Sequence, residues 1–311
     1  MLTALAVISP IFAIIAAGFA CRRLNLLGPT AASELNRFVV YLALPCLLFL
    51  VMAEANWNTL WQPGFIASFT IASFAVFGGT LLYRVIRGQH LTDASIDALN
   101  AGYANVGYIG FPLCGMVFGR ESLGLVTVAA VITVSVVFAT AIIFVEIGLQ
   151  SERRATHLVF KVAKALIRNP LLVAPALGVG WSMLGIPVPV PARAVLHLLG
   201  EAASPCALVS LGLFLAESRR GESSAPVTIL LSALKLIAQP AIAAVCAVAF
   251  RLSPGPAAIL VLLSALPTGT GPFMVAEYYK REAVVTSGTI LVTTVASMFT
   301  LTACLYLIGK I

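Results

Sequence analysis

Two short stretches of this chain set helix-breaking and polar residues inside long apolar runs. The first is NVGYIGFPL, residues 105–113, which carries Asn105, Tyr108, Gly110 and Pro112. The second is PTGTGPF, residues 267–273, with Thr268, Gly269, Thr270 and Pro272. In a helix interior glycine costs about 1 kcal/mol relative to alanine, and proline about 3. A span interrupted at this cost frees backbone N–H and C=O groups, which lipid does not satisfy; such backbone survives only inside protein or around a watery cavity. Half-helices beginning after Pro112 and Pro272 would aim N–H donors and partial positive charge at whatever lies between them, which suits an anion such as a carboxylate. The carbonyls freed on the preceding halves would suit a cation or polar groups. Asn105, Tyr108, Thr268 and Thr270 fit either of two roles, contact with a bound solute or satisfaction of the broken backbone. Asn100, nearer the inner end of its run, fits a cap or the lining of an entrance.

Ionisable groups inside a span are costly and mark function by default. Lys235 falls near the middle of an apolar run, four residues before Gln239. It would attract an anion or change charge during transport, or else pair structurally with a carboxylate or a helix-end carbonyl. Glu201, ahead of Pro205, is the expected proton or cation carrier, or the partner of Lys235. Glu277, beyond Pro272, is a further charge candidate, or a group facing water at the inner end. Pro45 and Pro205 mark either simple bends or breaks that hold two halves together. The six cysteines all sit in apolar segments, with no CxxC pair and no histidine beside them. They read as small buried hydrophobes, and neither a metal site nor a cofactor is expected.

The elements that must position these residues follow from composition. Of 311 residues, 60% are hydrophobic and 10% charged, where soluble domains carry about 25% charged residues. With a mean hydropathy of +1.03, the solvent for most of the chain is lipid. The formal net charge of +7 is scattered in short clusters between apolar runs, which reads as membrane topology and not as a nucleic-acid face. Ten runs are long enough to span: 2–21, 34–54, 62–83, 93–118, 124–148, 169–186, 192–216, 226–250, 255–279 and 284–308. The first lacks a basic leading region and reads as a retained span, not a secretory signal. The connection 149–168 is basic and amphipathic and is expected to lie along the lipid headgroups. Alternate connections differ in charge. One set holds Arg22, Arg23, Arg37, Arg84, Arg87, Arg153, Arg154, Lys161, Lys164, Arg168, Arg219, Arg220, Lys280 and Arg281, and the other only Arg120, Arg193, Arg251 and Lys310. The populated side is expected to be cytoplasmic, with both termini outside and Trp57 and Trp61 at the outer interface.

A shift of 160 residues pairs Pro10 with Pro170, Gly18 with Gly178, Pro45-Cys46 with Pro205-Cys206, and Pro112 with Pro272. A shift of 161 pairs RES at 120–122 with REA at 281–283. Prolines in the same order at a near-constant offset point to an internal repeat of five spans. An odd number makes the second copy enter from the opposite side. The expectation is therefore an all-α polytopic membrane protein of ten helices, as two inverted five-helix repeats with crossed, broken fourth and ninth helices. Residues 1–148 form the first repeat, 149–168 the linker and 169–311 the second repeat. Paired, interrupted segments in such repeats point to a transport site.

These motifs resemble a known family. ALPTGTGPFMVAEYY, 265–279, is similar to the ninth-span signature of the auxin efflux carriers, and NVGYIGFPL to the fourth-span stretch of their bacterial members. LNRFVVYLALPCLLF, 35–49, resembles that family's second span, and LIRNPLLVAPALGV, 166–179, its sixth. The resemblance covers the whole chain. It implies a scaffold of helices 1, 2, 6 and 7, and a transport domain of helices 3–5 and 8–10 that moves as an elevator. It further implies transport of small organic anions and a homodimer through the scaffold helices. The long loop of the plant carriers is absent here, so a malonate-like dicarboxylate is expected in place of auxin. Sodium-coupled bile acid symporters are related by fold, but their sodium ligands do not carry over because the local motif differs.

The expected function is therefore secondary transport of a small organic anion, a carboxylate or dicarboxylate, by alternating access in the inner membrane. H⁺ coupling, Na⁺ coupling and uniport all fit. The alternatives are a Na⁺-coupled symporter of a larger organic anion, such as a bile acid-like compound, and an anion channel. An enzyme is not expected: no HExxH zinc motif, no GxGD aspartyl motif and no phosphate-binding loop occur in the sequence.

Overall fold

The computed structural model describes residues 2–54, 61–149, 164, 167–168, 170–217 and 225–309. Among these the protein is helical throughout, and its one β contact is an isolated bridge. The helices are α1 (Leu2–Arg23), α2 (Ala31–Ala53), α3 (Pro63–Ile86), α4 (Leu91–Gly102), α5 (Val106–Phe118), α6 (Arg120–Leu149), α7 (Pro170–Met183), α8 (Val190–Leu215), α9 (Ala225–Ala249), α10 (Pro254–Ser264), α11 (Gly271–Tyr279) and α12 (Ala283–Leu307). Six of them, α2, α3, α6, α8, α9 and α12, are long and apolar enough to cross a membrane. The helices follow the expected runs to within about four residues at their ends. Nearly all of the connection 149–168 lies outside the described residues, as does Trp57, while Trp61 is exposed.

Three prolines explain a feature the sequence hides. The backbone widens into π turns at Val39–Ala43, Val106–Gly110 and Leu234–Ala238, closed by bonds from Leu44 to Val39, Phe111 to Val106 and Gln239 to Leu234. Each of these three turns is followed two residues on by a proline, namely Pro45, Pro112 and Pro240, whereas a fourth π turn, Ile132–Val137, precedes none. A proline inside a helix lacks an N–H and collides with the carbonyl four residues back. A widened turn just before it moves that carbonyl aside, so the helix bends and continues. Pro205, by contrast, lies within unbroken α8.

Close backbone approach organises one part of the molecule. A Cβ added to Gly18 on α1 would lie 2.4 Å from the Val209 carbonyl oxygen of α8, and one on Gly212 only 2.0 Å from the Ile15 oxygen. On the other side, a Cβ on Gly178 of α7 would lie 2.5 Å from the Phe49 oxygen of α2. Gly18 and Gly178 are 160 residues apart, and so are Phe49 and Val209. The seams α1–α8 and α7–α2 thus use the same contact with the partners exchanged. The remaining helices pack mainly with one another, α3 against α4 and α9, α4 against α6, and α9 against α10 and α12. Phe77, Ile96, Leu99, Val137 and Val145 form a buried core among α3, α4 and α6.

Candidate functional site: two interrupted helices that cross

The interruptions fall at 103–105 and 265–270. The second lies where the sequence places it. The first does not, because residues 107–112 are helical and Pro112 sits in the bend just described. What ends α4 and begins α5 is Asn105, whose side-chain oxygen accepts from the Tyr108 N–H at 3.3 Å. This is the N-cap device, an asparagine offering an acceptor to an otherwise orphaned donor. Both half-helices thus begin earlier than their prolines, α5 at Val106 and α11 at Gly271.

The two interruptions meet. Ala104 and Thr268 form an antiparallel bridge. The Asn105 N–H donates to the Pro267 carbonyl at 2.9 Å, and the Gly269 N–H to the Tyr103 carbonyl at 3.0 Å. The Thr268 hydroxyl donates to the Asn100 carbonyl at 2.8 Å, and the Thr268 N–H to Thr293 Oγ1 at 3.2 Å. Backbone groups that lipid would leave unpaired are in this way paired across the crossing. Tyr103 lies against the second break. A Cβ on Gly271 would sit 2.6 Å from its ring, and one on Gly269 2.9 Å, so only glycine allows this approach. Gly110 serves likewise, its missing side chain leaving room for Leu263 and Leu266. Thr270 caps α11 through its carbonyl, which accepts from Phe273 and Met274 at 3.1 and 3.3 Å. Pro272 occupies the first turn, where no N–H is needed.

Around the crossing the other sequence candidates separate. Asn100 is fully buried, not at an entrance, and donates to Thr286 Oγ1 at 2.9 Å. Asn105 is buried with its Nδ2 unpartnered. Tyr108 donates its hydroxyl to Asn36 on α2. Lys235 is fully buried and donates to the Ser264 carbonyl at 2.8 Å, capping the end of α10. Gln239 donates to Ser73 Oγ at 3.2 Å. Glu201 is not the partner of Lys235. Its half-exposed carboxylate lies 3.6 Å from Arg120 and 3.4 Å from His197. It lines a cleft of about 880 Å³ between α2, α5, α6 and α8, in which Arg193 also pairs with Glu54 at 2.7 Å. Phe111 and Gly115 of α5 also line this cleft. The backbone of Glu277 lies in α11, and its side chain is outside the described residues.

At the opposite end of α4 lies a polar network that sequence reasoning missed. Arg281 donates twice to Asp93, at 2.5 and 2.6 Å, and Arg84 donates to Asp97 at 2.7 Å. Tyr279 donates to buried Glu146, and Gln89 to Glu282 at 3.2 Å. The Asp93 contact holds the Arg281 guanidinium above its ordinary pKa, and burial pushes Glu282 up. The spacing of Asp93 and Asp97, four apart on one helix face, was the available signal. The threonine series Thr286, Thr289 and Thr293 on α12 was another.

Residues 3–305 match the family model described as "Membrane transport protein". The chain is 28% identical to the "Putative malonate transporter" of Rhizobium meliloti, over 96% of this chain and 94% of that protein. It is 29% identical to an uncharacterized transporter of Methanothermobacter thermautotrophicus, over 73% of this chain and 72% of the relative. Identity to auxin efflux carrier component 8 of Arabidopsis thaliana is 25%, over 90% and 91% of the two chains. These relatives are carriers and not enzymes, and a carrier implies a small-molecule solute. The chain is a multi-pass membrane transporter that belongs to the Membrane transport protein family, the family of the auxin efflux carriers.

Proposed function

We propose that this protein is a secondary carrier of a small organic anion, a malonate-like carboxylate or dicarboxylate, working by alternating access. The observation that carries the reading is the crossing at Ala104 and Thr268, where two helices begin anew side by side. Their N-terminal donors, together with the unpartnered Asn105 Nδ2, make a site electropositive without a metal. Asn100, Asn105, Tyr108, Gly110, Pro112, Thr268, Gly269, Thr270 and Pro272 form or frame it. The relative whose name carries malonate supports the substrate class.

Ten crossings in two inverted repeats, 1–148 and 169–311 around the linker 149–168, fit the helix order. The exchanged glycine seams, Gly18 on Val209 and Gly178 on Phe49, support the inversion, because a pseudo-two-fold axis swaps the members of each pair. In this reading α1, α2, α7 and α8 are the scaffold, through which two copies associate. The body of α3–α6 and α9–α12 carries the solute. The excess of lysine and arginine on one set of connections favours an inner-membrane location with both termini outside.

A thermal-shift screen of purified protein against mono- and dicarboxylates, with and without Na⁺ and at two pH values, tests this. A site ligand at one hundred times its Kd stabilises by about 2.7 kcal/mol, so malonate or a close analogue raises the midpoint clearly. If no carboxylate shifts the midpoint under any of these conditions, the anion reading is wrong.

A further inference from the structure

We propose that Asp97 is the proton-binding group that couples anion movement to a proton gradient, an inference that rests on the anion-carrier reading above. Asp97 is fully buried in α4, and its two carboxyl oxygens differ. Oδ2 accepts from Arg84 Nε at 2.7 Å, whereas Oδ1 has no hydrogen-bond partner among the described residues. An ionised carboxyl shut away from water is expensive unless both oxygens find donors. A proton on the bare oxygen removes the charge and leaves the Arg84 bond in place.

The surroundings leave room for that proton. Arg281 is committed to Asp93 through two bonds. Lys235 on α9 is committed to the Ser264 carbonyl. Glu146 on α6 accepts from Tyr279, and Glu282, in the connection after α11, accepts from Gln89. Glu277 of α11 has a side chain outside the described residues, and α12 carries no charged residue. The carboxyls of Asp93, Asp97 and Glu282 share the two arginines Arg84 and Arg281, so negative charge is in excess there.

Position links this group to the crossing. Asp97 lies one helical turn before Asn100, on the same face of α4. Asn100 in turn holds Thr286 through its side chain and Thr268 through its carbonyl. A change of charge at Asp97 therefore acts on the helix that anchors both interruptions. One O–H bond forms at Asp97 on the side of higher proton activity and breaks on the other, once per cycle.

Liposomes containing the purified protein, with radiolabelled malonate as the probe and the membrane potential clamped, separate the outcomes. At one proton per anion, a gradient of one pH unit drives up to about tenfold accumulation. Wild-type protein accumulates malonate, whereas Asp97→Asn shows no accumulation and still exchanges internal for external malonate. Accumulation by Asp97→Asn under the same gradient overturns the proposal, as does wild-type protein that exchanges malonate yet ignores the pH gradient. A wild-type protein that exchanges neither malonate nor any other carboxylate overturns the carrier reading itself. Should Asp97→Asn fail to fold, infrared difference spectra of wild-type protein decide. A protonated-carboxyl band that responds to malonate and to pH supports the assignment, and no such band overturns it.

Discussion

Replacing Thr268 by valine tests the crossing directly, because it deletes one hydroxyl and keeps the volume. Thr268 is fully buried, and its Oγ1 is the partner that the described residues give to the Asn100 carbonyl, at 2.8 Å. Valine leaves that carbonyl without a donor where water cannot replace it. Leaving a buried acceptor unpaired costs about 1–3 kcal/mol. At about 2.1 cal/mol/K of unfolding entropy per residue, a chain of 311 residues loses about 0.65 kcal/mol per kelvin near its midpoint. The midpoint thus falls by about 2–5 °C on that soluble-protein scale. Turnover falls as well, by up to about tenfold if 1.4 kcal/mol of the loss appears in the moving step. The measurements are intrinsic tryptophan fluorescence on heating in detergent and carboxylate uptake into liposomes. Thr268→Ser, which keeps the donor, stays near wild type in both. If Thr268→Val matches wild type in midpoint and in uptake, the Thr268–Asn100 bond does not hold the crossing together and the reasoning fails.

Other expectations follow from the seams and from the polar network. Gly212→Ala puts a methyl 2.0 Å from the Ile15 carbonyl oxygen and forces α1 and α8 apart. It lowers stability by about 1–3 kcal/mol, whereas Gly78→Ala, with nothing within 4 Å of the new methyl, is tolerated; equal midpoints for the two would refute the seam. Burial and then Asp93 raise the Glu282 pKa above its ordinary 4.5, against the pull of Arg84 and Arg281. The folded protein holds this proton more tightly than the unfolded chain, so its contribution is present below pH 4.5 and is lost as pH rises through the raised value. Glu282→Gln therefore stabilises relative to wild type at neutral pH and not in acid, as paired melting curves at the two pH values will show.

The helical runs and the partnership of the two breaks were legible in the sequence because each rests on a local rule. Apolar runs of about twenty residues have one solvent that suits them, and PTGTGPF lacks the donors and conformational bias to continue a helix. The exact place of the first break was not legible. Glycine and proline at 107–112 suggest an interruption, but a π turn accommodates Pro112, and the break falls at Tyr103–Asn105 because Asn105 caps the next half. Lys235 is buried in the middle of α9, but its partner is the Ser264 carbonyl and not Glu201, a choice set by the packing of α9 on α10. Asn36, Asp97 and Thr286 were missed because their roles depend on partners 72, 13 and 186 residues away.

Where Gly18 and Gly212 press main chain against main chain, there is no cushion of side chains to shear. The joint between α1 and α8 cannot creep by small rotamer adjustments, and neither can its twin at Gly178. On the carrier reading proposed above, whatever slides during a cycle slides along surfaces lined by larger, deformable groups, and the glycine-stitched quartet is the frame against which the rest is displaced.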